Sequence, residues 1–416
     1  MQQKTNEKVT VRIPPSPTGN LHIGTARTAL FNYLFAKKHG GKILLRIEDT
    51  DRERSKKEFE ENIIEALDWL GIKHDGEVAR QSERTDVYEK YIRKMLENNS
   101  AYESDDGVIR FRNPNAKVKF ADEVRGEIEF DTSDLEDFVI AKSLREPLYH
   151  LAVVVDDFES GVTHVIRGED HISNTPRQIL IQEVIGASRP VYAHIPLILA
   201  PDRSKLSKRH GATAVTQYRD MGILSEALIN YLALLGWNPG TDQEIFTMEE
   251  LIEQFDLKKI QKGGAIFDQK KLDWVNKEHI KRLLPEKQRE LLLKSIENES
   301  YMTSEPELDA GKIVWKKSSK EDAMRHLGEV SEIMQKGSKG DMGDVKEKIM
   351  EYAEREGKGN VLWPMRYALT GSEASPDPFT ILEFLGIEKS LKRIEKAIII
   401  LKNDKSEVRN SKSETN

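Results

Sequence analysis

Two short polar motifs, far apart in the chain, carry residues that could bind a nucleotide. In the first, His22-Ile23-Gly24-Thr25, a histidine can donate a hydrogen bond to a phosphoryl oxygen and a glycine lets a ring or phosphate approach the backbone. The second, Lys205-Leu206-Ser207-Lys208-Arg209, is a basic loop whose lysines could hold phosphates as charge redistributes. Taken alone, each motif has a simpler explanation, the first as a structural turn and the second as a solvated loop.

The residues around the first motif predict a strand, a loop, a helix and a second strand, as at the start of a parallel sheet. Apolar residues alternate up to Ile13, and a Pro-rich loop follows. The next segment has the apolar face of a helix and ends at Gly40, and residues 43–47 form another apolar strand. Ligands of parallel sheets bind outside the carboxyl ends of the strands, so the loop and Glu48 are predicted at the ligand-binding edge.

Further along, the spacing of apolar residues changes several times. Helices are predicted at 55–71 and about 83–98, and short strands with a period of two fill about 102–142, as in an α+β insertion. The continuous apolar run 148–158 predicts a buried parallel strand. The remaining predictions are a strand around 162–167, a helix over 175–185, a strand over 192–199 and helices after residue 205.

Composition limits the classes of protein that fit. The chain has 416 residues, a formal net charge of −7 and no cysteine, which excludes disulfides and thiolate zinc sites. There is no run of about 18 apolar residues and no apolar core near the N-terminus, so we expect no membrane span, no signal peptide and a cytoplasmic protein. An RNA partner of this acidic chain would require basic residues gathered on one face.

The flanks of the two motifs resemble the glutamyl type of class I aminoacyl-tRNA synthetases. PSPTGNLHIGTARTALFN and RIEDTDRERS are similar to the opening of that family, and KLSKR lies where its second ATP motif is expected. The resemblance covers nearly the whole chain and is densest over 11–54 and 149–284. It implies an α/β fold, a Rossmann-like class I synthetase catalytic domain with an α+β insertion, followed by an all-α C-terminal anticodon-binding domain.

The resemblance also implies domain boundaries. The two halves of the catalytic domain would be 1–72 and 148–200, separated by an acceptor-stem-binding insertion at 73–147. The further segments would be a stem-contact region with the KLSKR loop at 201–284, a helical anticodon-binding domain at 285–405 and a mobile tail at 406–416.

Residues at matching motif positions receive roles from the same resemblance. The implied catalytic residues are His22, Gly24, Lys205, Ser207 and Lys208. The implied ATP-binding residues are Thr18, His22, Gly24, Asp170, Lys208 and Arg209. The implied glutamate-binding residues are Arg12, Ser16, Glu48, Tyr149 and Arg167. An arginine suits the side-chain carboxylate of glutamate because its fork is bidentate, and a carboxylate suits the α-ammonium. For Glu48 and Arg167, a structural ion pair at the sheet edge is the alternative.

No resident metal is expected. The histidines show no metal-ligand spacing, and the cysteines of the zinc knob that some relatives carry in the insertion are absent, so we expect no zinc. Mg²⁺ is expected to arrive with ATP, which is a substrate. Asp156 and Asp157 are interpreted as structural or facing the ribose.

The implied activity is ATP-dependent ligation of L-glutamate to the 3'-terminal adenosine of tRNA(Glu), by a monomer, with tRNA(Gln) as an open second acceptor. One alternative is a glutaminyl enzyme, although an amide substrate needs no arginine partner. Another is a relative that glutamylates a tRNA base, against which the added C-terminal domain argues. The third is a non-catalytic tRNA-binding paralogue, against which the intact motifs argue.

Overall fold

The computed structural model describes residues 8–207, 213–296, 299, 304–316, 318–337 and 342–404. The chain divides into two compact units, Met1–Arg282 and Leu283–Asn416. Lys208 and Arg209 of the second predicted ATP motif, and the tail expected at 406–416, lie outside the described residues. Within the described ranges, no helix combines the length and apolar character needed to cross a membrane.

The first unit begins with the predicted strand–loop–helix–strand element. Strands β1 (Thr10–Ile13) and β2 (Lys42–Ile47) pair in parallel, and helix α1 (Ile23–Lys38) connects them across a buried apolar face. Gly40 has a φ of +59° and follows the helix, because glycine adopts this left-handed backbone conformation without steric cost. A short strand, β3 (Ala79–Arg80), extends the parallel sheet beside β2.

Helices and antiparallel strands follow close to their predicted positions. The helices are α2 (Lys57–Trp69) and α3 (Thr85–Glu97). The strands are β4 (Ala101–Glu103), β5 (Ile109–Phe111), β6 (Lys117–Asp122), β7 (Gly126–Asp131), β8 (Phe138–Ser143) and β9 (Glu146–Pro147). β4, β5, β8 and β9 form one antiparallel sheet, and β6 and β7 form a separate hairpin.

The apolar run 148–158 is a helix, so the prediction of a buried parallel strand is wrong. Helix α4 (Tyr149–Glu159) packs against α3, β8 and the next helix, α5 (Thr175–Ile185). Its central turns are buried on every side, from Leu151 to Asp157. Because all faces of the helix are covered, its sequence shows no helical period, and a short apolar run of this kind fits either structure.

The second half of the parallel sheet lies beside the first. β10 (His164–Gly168) and β11 (Val191–Ile195) pair in parallel, and the backbone N–H of Thr163 donates to the carbonyl of Thr10 in β1 at 2.9 Å. On its other side, β11 meets the hairpin strand β6. The insertion therefore contributes directly to the edge of this sheet.

The predicted strand over 192–199 is interrupted at Pro196. A proline lacks the N–H that a ladder requires, so β11 ends one residue earlier, at Ile195. The chain then forms β12 (Ile198–Leu199), which pairs in parallel with β13 (Ala265–Ile266). The other helices of this unit are α6 (Val215–Asp220), α7 (Ser225–Leu234), α8 (Met248–Gln254) and α9 (Gln269–Lys281).

Each unit has hydrophobic cores of its own. One cluster in the first unit surrounds α1, β1, β2 and α7, and a second joins α3, α4 and α5 to the insertion strands. The described helices of the second unit are α10 (Pro285–Ile296), α11 (Ala310–Ile313), α12 (Lys320–Gly337), α13 (Met342–Glu356), α14 (Lys358–Thr370), α15 (Pro378–Leu385) and α16 (Ile387–Asn403). A third cluster, from Ile313 to Leu401, lies among the helices from α11 onward.

Candidate active site

His22 caps the N-terminus of α1. Its Nδ1 accepts a hydrogen bond from the backbone N–H of Gly24 at 3.0 Å, so this nitrogen carries no proton and the neutral ring is protonated at Nε2. Two further backbone bonds fix the start of the helix: Ile23 N–H donates to Thr213 and Val215 N–H donates to Leu21, both at 2.9 Å. The histidine thus has a fixed ring and a donor nitrogen beside a helix N-terminus, which favours anions.

A cavity of about 370 Å³ adjoins this helix start. We call it the His22 cavity; five predicted site residues line it, namely His22, Gly24, Arg167, Asp170 and Lys205. The Nζ of Lys205 donates to Oδ2 of Asp170 at 2.9 Å. Gly168 makes room for this pair, because a Cβ at its position would lie 2.5 Å from Oδ1 of Asp170.

A tight hairpin presents Lys205 to the His22 cavity. The backbone N–H of Leu206 donates to Ile198 at 3.1 Å, and that of Ala200 donates to Ser204 at 2.8 Å. Leu206 is buried and anchors the loop, while the Lys205 side chain remains largely exposed. Ser207 is half-buried and does not line the His22 cavity.

A second cavity, of about 640 Å³, contains most of the predicted glutamate-binding residues. We call it the Glu48 cleft; Ser16, Thr18, Glu48 and Tyr149 are among its lining residues. Ser16 and Thr18 also share a third cleft, of about 560 Å³, with His22. The backbone N–H of Glu48 donates to Pro15 at 2.9 Å, which ties the end of β2 to the Pro-rich loop.

Beneath these cavities lies a buried ionic network. Nε of Arg12 donates to Asp157 at 3.3 Å, and Arg46 donates to Asp157 at 2.7 Å and to Oε1 of Glu48 at 2.9 Å. Burial alone would raise the pKa of Asp157, but the two guanidiniums lower it overall. For Glu48 burial dominates, and its pKa is raised in spite of Arg46. The structural ion pair considered for Glu48 is therefore present, with Arg46 as the partner.

Arg167 is held quite differently. Its Nε donates to His194 at 3.0 Å, Nη1 to Gln178 at 2.7 Å and Nη2 to Thr175 at 2.8 Å, all neutral acceptors. Among the described residues, no carboxylate forms an ion pair with this buried guanidinium. Burial lowers its pKa, and the neighbouring Arg12 lowers it further. Three of its five N–H groups are used, which leaves one on each η nitrogen.

Tyr149 lines the Glu48 cleft and interacts with charged or polar residues of both cavities. Burial raises the pKa of Tyr149, and the charge of Glu48 raises it further, while Arg167 and Arg12 act against this. Its hydroxyl lies 3.1 Å from Nδ1 of His171, whose pKa is lowered to about 4, first by burial and then by Arg167. The fold thus brings four of the five predicted glutamate-binding side chains within range of one another's charges, with Ser16 on the adjoining wall.

Asp156 has a structural environment, as one of the two interpretations of this residue holds. Its carboxylate accepts hydrogen bonds from Gln81 at 2.8 Å, Arg84 at 2.7 Å and Tyr88 at 2.9 Å, and it is fully buried. Within the part of the chain that the structure describes, no group of three His, Asp or Glu residues could hold a metal ion.

Sequence reasoning missed several residues of the site, among them Arg46, Asp122, Gln178 and His194 as partners of the predicted side chains. A signal existed for Asp122, since it lies on the same buried face of β6 as Val118 and Phe120. A carboxylate at an apolar position of an alternating strand is expensive unless it is paired. Most of the contacts of the missed residues join positions that are far apart in the sequence, so local spacing carries no signal for these contacts.

Family models match both units of the chain. A model for the catalytic domain of class I tRNA synthetases (E and Q) matches residues 8–107 and 103–274. A model for an anticodon binding domain matches residues 248–398. The first match alone spans more than half of the chain.

Known proteins are similar over nearly the whole length. The glutamate–tRNA ligase of Thermodesulfovibrio yellowstonii is 41% identical over 94% of this chain and 99% of its own, and that of Desulforamulus reducens is 37% identical over the same shares. The crystal structure of a glutamate tRNA ligase from Elizabethkingia meningosepticum in complex with its amino acid is 32% identical, with a TM-score of 0.75, covering 95% of this chain and 100% of that one. The chain therefore belongs to the glutamate–tRNA ligase family of the class I aminoacyl-tRNA synthetases.

Proposed function

We propose that this protein activates L-glutamate with ATP and transfers it to the 3'-terminal adenosine of tRNA(Glu). In the proposal, the Glu48 cleft takes the amino acid and the His22 cavity takes ATP. The two spaces share neighbours, since Ser16, Thr18 and His22 line one intermediate cleft. An amino acid and a nucleotide bound on its two sides would meet there.

The observation that carries the choice of glutamate is a surplus of buried hydrogen-bond donors. Nη1 of Arg12 and Nε2 of Gln178 are buried and have no acceptor within the described part of the chain. Arg167, which is bonded to Gln178, has neutral partners and N–H groups to spare. Unpaired buried donors are costly, so this site favours a ligand rich in acceptors and negative charge, such as a carboxylate.

Glutamine fits this environment less well. Its side-chain amide is neutral and would direct an NH₂ group, itself a donor, at guanidinium donors. Activation of glutamine is therefore the weaker candidate, because glutamine would leave buried donors unpaired and binding with unpaired buried groups is strongly disfavoured.

The opposite end of the amino acid would face Glu48. One oxygen of Glu48 already accepts from Arg46, and the second can accept from the α-ammonium of the substrate. Ser16 and the Tyr149 hydroxyl line the same cleft and would orient the α-carboxylate toward the nucleotide. This placement would let the α-carboxylate attack ATP in line from a fixed distance.

In the first step, the α-carboxylate attacks the α-phosphorus of ATP, glutamyl-adenylate forms and pyrophosphate leaves. The Nε2–H of His22 would donate to a phosphoryl oxygen, and Lys205, held by Asp170, would stabilise the charge that builds up on the phosphates. Lys208 and Arg209 receive the same role in the proposal, and Thr18 and Gly24 would contact ATP. In the second step, a ribose hydroxyl of the terminal adenosine attacks the adenylate carbonyl, and AMP leaves.

The finer points belong to the same proposal. Mg²⁺ would enter bound to ATP, as the charge balance of a triphosphate requires. The domain roles would follow the expected boundaries, with the insertion at the acceptor stem and the helical unit at the anticodon. The protein would act in the cytoplasm as a monomer, and tRNA(Gln) is the second acceptor to test.

Aminoacylation with labelled glutamate tests the function. The reaction contains full-length protein, ATP, Mg²⁺ and either intact tRNA(Glu) or the same tRNA with its terminal ribose oxidised by periodate. We expect label on intact tRNA only, with AMP and pyrophosphate as products, because the oxidised terminus has no hydroxyl to accept the amino acid.

Each alternative gives a different result in this assay. Label on oxidised tRNA would indicate modification of a base instead of the 3' end. Labelling with glutamine in place of glutamate would indicate the sister enzyme. Binding of tRNA without any labelling would indicate a non-catalytic paralogue.

A further inference from the structure

We propose that Asp122 and His194 are positioning residues that orient the guanidinium of Arg167 toward the side-chain carboxylate of glutamate. The inference rests on the proposed function, because it concerns the arginine that would bind this carboxylate. Asp122, His194 and Arg167 form a continuous line of hydrogen bonds, and the side chains of Asp122 and His194 are fully buried. Neither residue lines the His22 cavity or the Glu48 cleft, so each would act through Arg167.

Asp122 is fixed by donors on both of its oxygens. Oδ1 accepts from the backbone N–H groups of Val124 at 3.0 Å and Arg125 at 2.8 Å. Oδ2 accepts from Nδ1 of His194 at 2.6 Å and from the His194 backbone N–H at 3.1 Å. Burial alone would raise the pKa of Asp122, but the hydrogen bond from His194 and the backbone donors lower it overall. The group is therefore an anion that uses both oxygens as acceptors.

This anion determines which nitrogen of His194 carries the proton. Since Nδ1 donates to Asp122, Nε2 is unprotonated and accepts from Nε of Arg167 at 3.0 Å. Burial lowers the pKa of His194, although Asp122 acts in the opposite direction, so the ring is neutral near pH 7. The other tautomer would direct an N–H at the Arg167 N–H, and two donors in contact repel each other.

The three hydrogen bonds of Arg167 leave two of its five N–H groups for a ligand. His194, Gln178 and Thr175 each take one N–H, one on every nitrogen of the guanidinium. One N–H of each η nitrogen is not used by these three acceptors, so the guanidinium still has donors for a carboxylate. Rotation of the guanidinium would lose all three bonds together, so the three acceptors fix its orientation jointly, and His194 is the one whose tautomer Asp122 controls.

Asp122 also makes the insertion part of the amino-acid site. Asp122 is the last residue of β6 and pairs with Tyr192 of β11. From the turn of the same hairpin, Arg125 donates to the His194 carbonyl at 3.2 Å and pairs with Glu169 at 2.5 Å. A segment expected to contact tRNA thus holds the arginine expected to select the amino acid.

The test compares ATP–pyrophosphate exchange of the full-length wild type with Asp122→Asn and His194→Gln. In Asp122→Asn the amide NH₂ replaces the oxygen that faces Nδ1, so the tautomer should reverse and KM for glutamate should rise about 10- to 100-fold. His194→Gln keeps an acceptor for Arg167 and should show a smaller rise. KM for ATP should stay within about threefold in both variants.

Tyr192→Phe is the matched control, since Tyr192 lies in the same strand, is also buried and loses only its hydrogen bonds with Gln182. It should leave KM for glutamate unchanged. As a second readout, ¹⁵N NMR should find His194 protonated at Nδ1 in the wild type and at Nε2 in Asp122→Asn, with the signal assigned by its loss in His194→Gln.

Wild-type His194 protonated at Nε2, or a folded Asp122→Asn protein with unchanged KM for glutamate, would overturn the inference. If Asp122→Asn does not fold, the wild-type tautomer and the kinetics of His194→Gln decide. Absence of glutamate-dependent exchange in the wild type both with and without tRNA is a separate outcome, because it refutes the proposed function itself.

Discussion

At the scale of single residues, Arg12 and Arg167 carry buried charge in two different ways. Arg12 has an acidic neighbour, Asp157, whereas Arg167 is bonded only to neutral acceptors among the described residues. The pKa of Arg167 is lowered first by burial, and the charge of Arg12 lowers it further. A bound carboxylate would stabilise both buried charges, so in the proposed function the two arginines select an acidic amino acid.

Replacing Arg12 tests this interpretation. Arg12→Gln should raise KM for glutamate on the order of 100-fold, because a charge-assisted hydrogen bond to the substrate is lost. Arg84→Gln is the matched control, since it removes the ion pair of 2.7 Å with Asp156 in the same network. Both variants should lower stability, on the order of 2 kcal/mol in denaturant unfolding. Equal glutamate KM values in the two variants would contradict the assignment of Arg12.

Buried histidines predict a pH dependence of stability. Burial lowers the pKa of His164 to about 4 from its ordinary value of 6.5. Between these two values the unfolded chain binds a proton that the folded chain does not, so this contribution is intact above pH 6.5 and is lost as the pH falls toward 4. His150 and His171 have lowered pKa values of about 4 for the same first reason.

His164→Phe isolates this effect, because its ring keeps the contact with Phe35 but does not titrate. Measured from pH 7 to pH 4, the melting temperature of the wild type should fall relative to that of the variant by about 3 °C or more. If the melting temperatures of the two proteins changed with pH in parallel, a lowered pKa of His164 in the folded protein would be contradicted.

At the scale of elements, helix α1 begins at a residue, His22, that caps it and that would also contact phosphate in the proposed function. His22 caps the helix through Nδ1 and carries its proton on Nε2, so the cap itself determines which nitrogen can donate to a phosphate. A histidine at this position has a second polar atom, Nε2, that lies farther from the backbone than any side-chain atom of the usual capping residues Ser, Thr, Asp and Asn.

Two substitutions separate these tasks. His22→Asn keeps a capping side chain, so stability should hold while kcat falls on the order of 100-fold through loss of the phosphate donor. His22→Ala should lose the same catalysis and, in addition, about 1 kcal/mol of stability. Pyrophosphate exchange and thermal unfolding measure the two effects, and full turnover by His22→Asn would exclude the phosphate role.

The elements that could be predicted from the sequence include those with an apolar face and a polar face, because this difference gives the sequence a period. Helices α2 and α3 and strand β6 were predictable because each has one buried side. The unit β1–α1–β2 is buried on more than one side, and it was predictable from its short apolar strands and from the Pro and Gly residues that separate its elements. Helix α4 was not, since neighbours cover it completely. The positions of Arg12, Glu48 and Arg167 were available from motifs, whereas the Asp122–His194–Arg167 line was not, because its members lie on three strands and meet only in the folded sheet.

At the scale of the whole molecule, the two units have separate cores. The clusters of the first unit end at Val275, and the cluster of the second begins at Ile313. Every described residue that lines the His22 cavity or the Glu48 cleft belongs to the first unit. Binding of the small substrates and recognition of the anticodon should therefore be separable.

Truncation after Arg282 tests this separation. The fragment 1–282 should unfold cooperatively and bind ATP in calorimetry, because it keeps both of its clusters. Charging of tRNA(Glu) should fall at least about 100-fold with the loss of the anticodon-binding helices. Undiminished charging would show that the helical unit is dispensable and would favour the alternative of tRNA base modification.

Selection of glutamate is measured most directly by ATP–pyrophosphate exchange of the wild-type protein with glutamate and with glutamine, each with and without tRNA. The donor-rich cluster around Arg12 and Arg167 predicts that kcat/KM for glutamate exceeds that for glutamine by at least about 1,000-fold. A requirement for tRNA in the glutamate reaction would show that RNA completes the site. Exchange with glutamine at a comparable or higher rate, or no exchange under any condition, would contradict the account.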